Sequence, residues 1–312
     1  MSENEKTSEK QRRSEERSDD KEGLNVSRYV LVLYHGLSGD LDIIDTRLVM
    51  SLRHDVEDLI KEPPQQVEID LWLESPGGDA HSAYKLAVLL RAHSCRLRVV
   101  VPDFAKSAAT LLALAADEIY MAPAAELGPL DAQIPNEGEL IATFSALDVA
   151  RSLDDLANSA LDLALVGGAG VLRSTRLSRA ETLSTMLTFA ARFMEPITRQ
   201  LDPRMIHWSN TLLNVSVEYA IRLLKMRNSQ GSTASRIAKE LVQKYPTHGF
   251  VISRSEAQAL GLPVFDIDRY DMAKEARGLH RSFENGGADD IGLYRLEDLL
   301  EDLRSEPDGD AE

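Results

Sequence analysis

Two short segments hold the residues best suited to chemistry. In Glu74-Ser-Pro-Gly-Gly-Asp79, adjacent glycines let the backbone approach another group closely and turn its N–H groups toward it. If a helix begins there, its first donors lack partners, so the turn can receive an anion or a developing oxyanion. The same residues also suit a plain strand-to-helix turn stiffened by proline. In Lys106-Ser107-Ala-Ala-Thr-Leu-Leu-Ala-Leu-Ala-Ala-Asp117, a serine precedes a run of small residues. A serine on a strand-to-helix corner can be an activated nucleophile, with the Ala108 N–H beside it. It can equally be an N-cap, the small residues serving tight helix packing. The histidines His35, His54, His93, His207 and His280 show no metal-ligand spacing, so neither a metal nor any other cofactor is expected. The single cysteine, Cys95, excludes an internal disulfide and reads as packing.

The elements around these segments alternate. Tyr29-Val-Leu-Val-Leu-Tyr34 is a short apolar run ended by His35-Gly36, a buried strand by pattern. Asp45–Lys61 has helical spacing. Val67–Leu73 is a second strand that runs into the glycine turn, and Ala80–His93 is the helix after it. Arg96–Val101 is a third strand, Ser107–Ala116 a helix, and Glu118–Met121 a fourth strand. Such alternation predicts an α/β fold with a largely parallel sheet. The second half is helical by periodicity over Phe144–Leu165, Ser178–Leu201, Val215–Met226 and Ser232–Tyr245. The expected breaks are Gly167-Gly168-Ala169-Gly170, Pro203 and Asn228–Gly231. Short elements follow at Gly249–Ile252, Ser255–Leu260 and Pro263–Phe265.

The chain has 312 residues and a net charge of −16. Residues 284–312 alone carry eleven acids and two bases, which leaves an ordinary balance for the middle of the chain. The acidity argues against a protein built to grip nucleic acid or an anionic membrane, since both need a basic face. No apolar stretch recommends itself as a signal peptide or a membrane span, so a cytoplasmic protein is expected. The organisation expected is a disordered charged tail over 1–24, a folded domain over 25–268 with a helical region near 140–245, and an acidic tail over 269–312.

Taken together and in order, these segments resemble the Clp/crotonase superfamily of serine peptidases. More closely, they are similar to the serine dehydrogenase proteinase family, relatives of signal peptide peptidase A. The matching pieces are Leu73–Asp79, Lys106–Ile119, Glu126-Leu-Gly-Pro-Leu-Asp-Ala-Gln133, and Tyr245–Ile252 with Glu256-Ala257 and Leu260–Pro263. The resemblance implies a Clp/crotonase-like spiral with a mostly parallel sheet, followed by the helical region. It places Ser107 where the family has its nucleophile, and Gly78 and Ala108 where N–H groups form an oxyanion hole. Gly77, Gly78, Asp79 and Ala80 would be the edge along which a substrate peptide adds as a strand.

The general base is less direct. Signal-peptide-peptidase relatives use a lysine several dozen residues after the serine, and here no lysine occurs between Lys106 and Lys225. Against the Clp pattern, Asp131 stands near the histidine's place and His248 near the acid's. This exchange gives a Ser107–His248–Asp131 constellation in which His248 takes the proton and Asp131 orients the ring. Alternatively, His248 only shapes the turn before Gly249. Lys106, Lys225 and His81 are weaker candidates for contact with the reacting groups. The function implied is peptide-bond hydrolysis on a protein or peptide substrate by a homo-oligomer. A catalytically degenerate peptide-binding or ring-scaffold protein and a crotonase-type acyl-CoA enzyme are the alternatives. The missing lysine favours the first alternative, and Ser107 at the nucleophile corner disfavours the second.

Overall fold

In the computed structural model, residues 26–35, 43–135, 143–227, 230–286 and 290–305 are described. The expected N-terminal tail over 1–24 lies outside the described residues. The strands are β1 (Ser27–Tyr34), β2 (Val67–Glu74), β3 (Arg96–Val101), β4 (Phe104–Ala105), β5 (Glu118–Met121) and β6 (Glu126–Leu127). After them come β7 (Gln133–Pro135), β8 (Thr143–Ser145), β9 (Ile252–Ser253), β10 (Val264–Asp266) and β11 (Asp290–Arg295). The first helices are α1 (Thr46–Leu59), α2 (Ala80–His93), α3 (Ala108–Ala113), α4 (Ala146–Ser174) and α5 (Arg179–Thr198). The rest are α6 (Pro203–Met226), α7 (Gly231–Gln243), α8 (Arg254–Leu260), α9 (Ala273–Gly286) and α10 (Leu296–Ser305).

Six strands form the main sheet, in the order β10-β5-β3-β2-β1-β11. The first five run parallel, and β11 pairs antiparallel with β1 from Tyr29↔Arg295 to Tyr34↔Asp290. The unbroken apolar character of β1 follows from burial on both faces, as parallel sheets require. Tyr29, Leu31 and Leu33 enter the larger core under α1, α2 and α3, while Val30 and Val32 face a smaller core under α9 and α10. Asp70 is buried within β2, yet Arg98 donates to it at 2.7 Å, Arg28 at 2.7 Å and the Tyr270 hydroxyl at 2.6 Å. A buried carboxylate needs such partners to offset its lost hydration.

The structure departs from the sequence reading in three places. The glycines at 167, 168 and 170 do not end a helix; α4 runs through them to Ser174. A Cβ on Gly167 would lie 2.4 Å from Met186 Cε, and one on Gly168 would touch Met186 and Thr182. The glycines therefore let α5 pack closely, and that contact outweighs their poor helix propensity. Pro203 does fall at a break, after α5 ends at Thr198, but the next helix starts there at once rather than at Val215. It stands at the first position of α6, where its missing N–H costs nothing, and Asp202 caps the helix through Arg204 N at 2.8 Å. Finally, the stretch expected as an acidic tail beyond residue 268 contains α9, β11 and α10, which complete the sheet and cover its second face. Its acids line the outer side of amphipathic helices, while Phe283 and Leu299 are buried.

Candidate active site

The C-terminal ends of β2 and β3 bring the two chemical segments together, as expected for ligand sites on parallel sheets. Ser75 pairs with Ala105 as an isolated parallel bridge, its N–H donating to Phe104 O at 3.2 Å and its carbonyl accepting from Lys106 N at 3.0 Å. The glycine turn thus lies directly on the Ser107 corner. A Cβ on Gly77 would sit 2.8 Å from both Lys106 O and Ser107 Cβ, and one on Gly128 would approach Lys106 and Ser107 N from the other side. Only glycines fit this contact, and Gly77 and Gly78 also hold φ of 116° and 141°.

Ser107 has φ 49° and ψ −117°, a region that L-residues rarely occupy. Its hydroxyl makes no capping hydrogen bond to α3, so the N-cap alternative does not describe it. Instead Ser107 lines a cavity of about 530 Å³ together with Gly78, Ala108, Asp131 and His248. Ala108 opens α3, where a first-turn N–H has no intrahelical acceptor. The amide of Gly77 is engaged by the Ser75 hydroxyl at 3.1 Å and that of Asp79 by Ile44 O at 2.8 Å. Gly78 lies between them, and strand alternation turns its N–H away from Ile44.

The peptide-pairing edge differs in detail from expectation. Gly77 O already accepts from Ile44 N at 2.8 Å, so the main chain of Gly77 and Asp79 is occupied by a segment of the same chain. The Asp79 carboxylate is also engaged, accepting from Ser82 N at 2.8 Å and Ser82 Oγ at 2.7 Å as the cap of α2. Gly77 itself is not among the cavity-lining residues, whereas Asp79 and Ala80 are.

Asp131 is 3 % exposed and is held by Leu147 N at 3.2 Å and by the Ser145 hydroxyl. Burial raises its carboxyl above the ordinary range, opposed by those two hydrogen bonds and by His248. His248 is more than half buried, with Nδ1 lacking a hydrogen-bond partner. Burial pushes its imidazole below 6.5, opposed by the Asp131 carboxylate and main chain. Exchange of the two positions is thus compatible with a neutral imidazole beside an acid. Of the weaker candidates, Lys106 turns away to an ion pair with Glu126, and Lys225 is exposed outside the cavity lining. His81 does line the cavity, with Nδ1 2.8 Å from the Tyr219 hydroxyl.

Several contributors escaped the sequence reading. Ile43 and Ile44 flank the glycine turn, and Leu212, Val215 and Ser216 of α6 wall the cavity opposite it. No local pattern marks a helix residue a hundred positions away as a cavity wall. Ser145 did carry a signal, since its hydroxyl accepts from Asp148 N at 3.1 Å in an ordinary capping arrangement. Among the described residues, no group of acids, histidines and cysteines is suited to hold a metal.

Residues 49–165 match the family model described as ClpP-like SDH-type serine proteinase. Two uncharacterized proteins of Methanocaldococcus jannaschii, MJ0137 and MJ1495, are 45 % and 41 % identical over 75 residues. Those matches cover 24 % of this chain, and the chain spans about a quarter (26 %) of the length of each relative. A variant of the 1510-N membrane-bound stomatin-specific protease is similar in structure, with TM-score 0.42 and 14 % identity, over 77 % of this chain and 79 % of that one. The segment that carries the glycine turn, Ser107 and Asp131 thus lies within the match to the ClpP-like SDH-type serine proteinase model, while His248 lies beyond the matched residues.

Proposed function

We propose that the protein is a serine peptidase that hydrolyses peptide bonds through an acyl-enzyme on Ser107. The observation that carries this reading is the convergence of Ser107, at its strained corner, with Gly78, Ala108, Asp131 and His248 on one cavity. In the cycle, Ser107 Oγ attacks the scissile carbonyl while His248 takes the hydroxyl proton. Negative charge develops on the carbonyl oxygen, and the Gly78 and Ala108 N–H groups receive it. Collapse breaks the C–N bond, and His248 returns its proton to the leaving amine. Water, deprotonated by His248, then attacks the ester; the C–O bond to Ser107 breaks, the acid leaves, and His248 returns the proton to Ser107 Oγ. Asp131 orients the imidazole and stabilises its charged form.

The match to a serine proteinase family supports the reaction class. A fluorophosphonate probe tests the mechanism. Labelling of the wild-type protein that disappears in Ser107→Ala and in His248→Gln is expected. A wild-type protein that never labels, under conditions where it is folded, would favour a peptide-binding scaffold instead. That second reading has one specific observation behind it: Lys106, the lysine adjacent to Ser107, is committed to Glu126.

A further inference from the structure

Behind the glycine turn, away from the cavity, lie two fully enclosed polar side chains that the proposed mechanism does not use. Ser75 is 0 % exposed and His35, at the end of β1, is 1 % exposed. Ser75 Oγ accepts from Gly77 N at 3.1 Å and lies 2.8 Å from His35 Nδ1. The direction of the second bond follows the His35 tautomer. While it accepts from Gly77 N–H, the serine can donate its O–H to Nδ1 in the tautomer that carries its proton on Nε2.

This small relay lies where the oxyanion donors are most easily lost. Gly77 and Gly78 both hold positive φ, and two successive glycines can exchange peptide orientations at little steric cost. Rotation of the Gly77–Gly78 peptide would swing the Gly78 N–H out of the cavity. A preorganised donor contributes to a transition state only if it is held in place before charge develops. Ile44 N, donating to Gly77 O at 2.8 Å, holds the Gly77–Gly78 peptide, and the Gly77 N–H to Ser75 Oγ bond holds the Pro76–Gly77 peptide on which it pivots. The main chain of Ser75 also receives Lys106 N at 3.0 Å, one residue before Ser107. One residue therefore touches both halves of the site.

We infer that Ser75, oriented by His35, is a positioning residue that fixes the Pro76–Gly77 peptide and, together with Ile44, holds the glycine turn so that the Gly78 N–H faces the cavity. The inference rests on the reading of Ser107 as nucleophile and of Gly78 as oxyanion donor.

The test compares wild-type, Ser75→Ala, His35→Leu and His35→Asn proteins by the rate of fluorophosphonate labelling against probe concentration. Loss of the lock should lower the maximal labelling rate about tenfold or more in Ser75→Ala and His35→Leu. The probe concentration for half-maximal rate should stay unchanged, because the donor acts on developing charge rather than on probe binding. His35→Asn offers an amide oxygen near the position of Nδ1 and should recover most of the rate. Amide hydrogen exchange at Gly77, whose N–H donates to Ser75 Oγ, should quicken in the two impaired variants and not in His35→Asn, which separates a local lock from general destabilisation. If the wild type labels and folded Ser75→Ala labels at the same maximal rate, the inference fails while the Ser107 reading stands. If His35→Asn is as impaired as His35→Leu although it folds, the acceptor role of His35 is wrong. A folded wild type that never labels overturns the Ser107 reading, and this inference with it.

Discussion

At the residue scale, the site turns on a hydroxyl in a strained conformation and an imidazole kept out of water. Because burial places His248 below 6.5, it is neutral at pH 7 and competent to accept a proton. Activity should therefore fall as pH drops through a single titration below 6.5, and kcat/KM measured against pH gives its midpoint. Asp131→Asn removes the charge that opposes this depression, so the midpoint should move further down. The rate should fall by about 10²-fold or more, as when the acid of a triad is neutralised. The strain at Ser107 makes a second prediction. Glycine tolerates φ near 49°, so Ser107→Gly should stabilise the fold by about 1 kcal/mol after its larger unfolded-state entropy is counted. Denaturant unfolding of the inactive variant against wild type measures this.

At the element scale, the corner between β4 and α3 works because two glycine-containing turns clasp it. Gly77→Ala places a Cβ 2.8 Å from Lys106 O and Ser107 Cβ at a φ of 116°. It should cost about 2 kcal/mol or more in stability, with activity lost along with it. A thermal melt and a labelling assay on the same sample check both. The outer strand makes a different prediction. Removal of residues 290–305 would strip β11 from β1 and uncover a buried, apolar strand edge. Such an edge templates pairing with other chains, so the truncated protein should aggregate. If it instead stays soluble with a wild-type melting temperature, those residues are a dispensable appendage after all.

At the scale of the whole molecule, α4 joins the main core through Ala146 and Leu147, while the rest of its hairpin with α5 packs in a separate cluster. Met186 and Ala190 of α5 are buried with Ala164 in a small separate cluster, but Leu183, Leu187, Phe189 and Phe193 remain exposed. The apolar residues of α5 are thus divided between the hairpin seam and open water. Helix α4 is also long and apolar enough, by length and composition, to cross a membrane, with only 11 % of its most apolar 18-residue window buried. Its mid-helix Asp162 and its seam with α5 favour a protein interface, and we propose that a second copy of the chain covers this hairpin. Light scattering at micromolar concentration should show an oligomer, and Leu187→Glu with Phe193→Glu should dissociate it. A monomer that sediments with lipid vesicles would assign the surface to a bilayer.

The sequence by itself determined the parallel α/β core, because a strand buried on both faces must be apolar throughout and β1 can hardly be anything else. It also determined the two chemical turns: adjacent glycines and a serine before small residues are local signals that survive any tertiary setting. Asp131 and His248 were legible only through a resemblance. Their meeting on one cavity joins residues over a hundred positions apart, and no periodicity encodes such a contact. Tertiary structure alone decided that Gly167 and Gly168 sit inside a helix, since their use becomes visible only when Met186 lies against them. It also decided that the acidic C-terminal stretch closes the sheet. Charge suggests a solvated tail, whereas burial of Phe283 and Leu299 depends on a second core that only the assembled sheet provides.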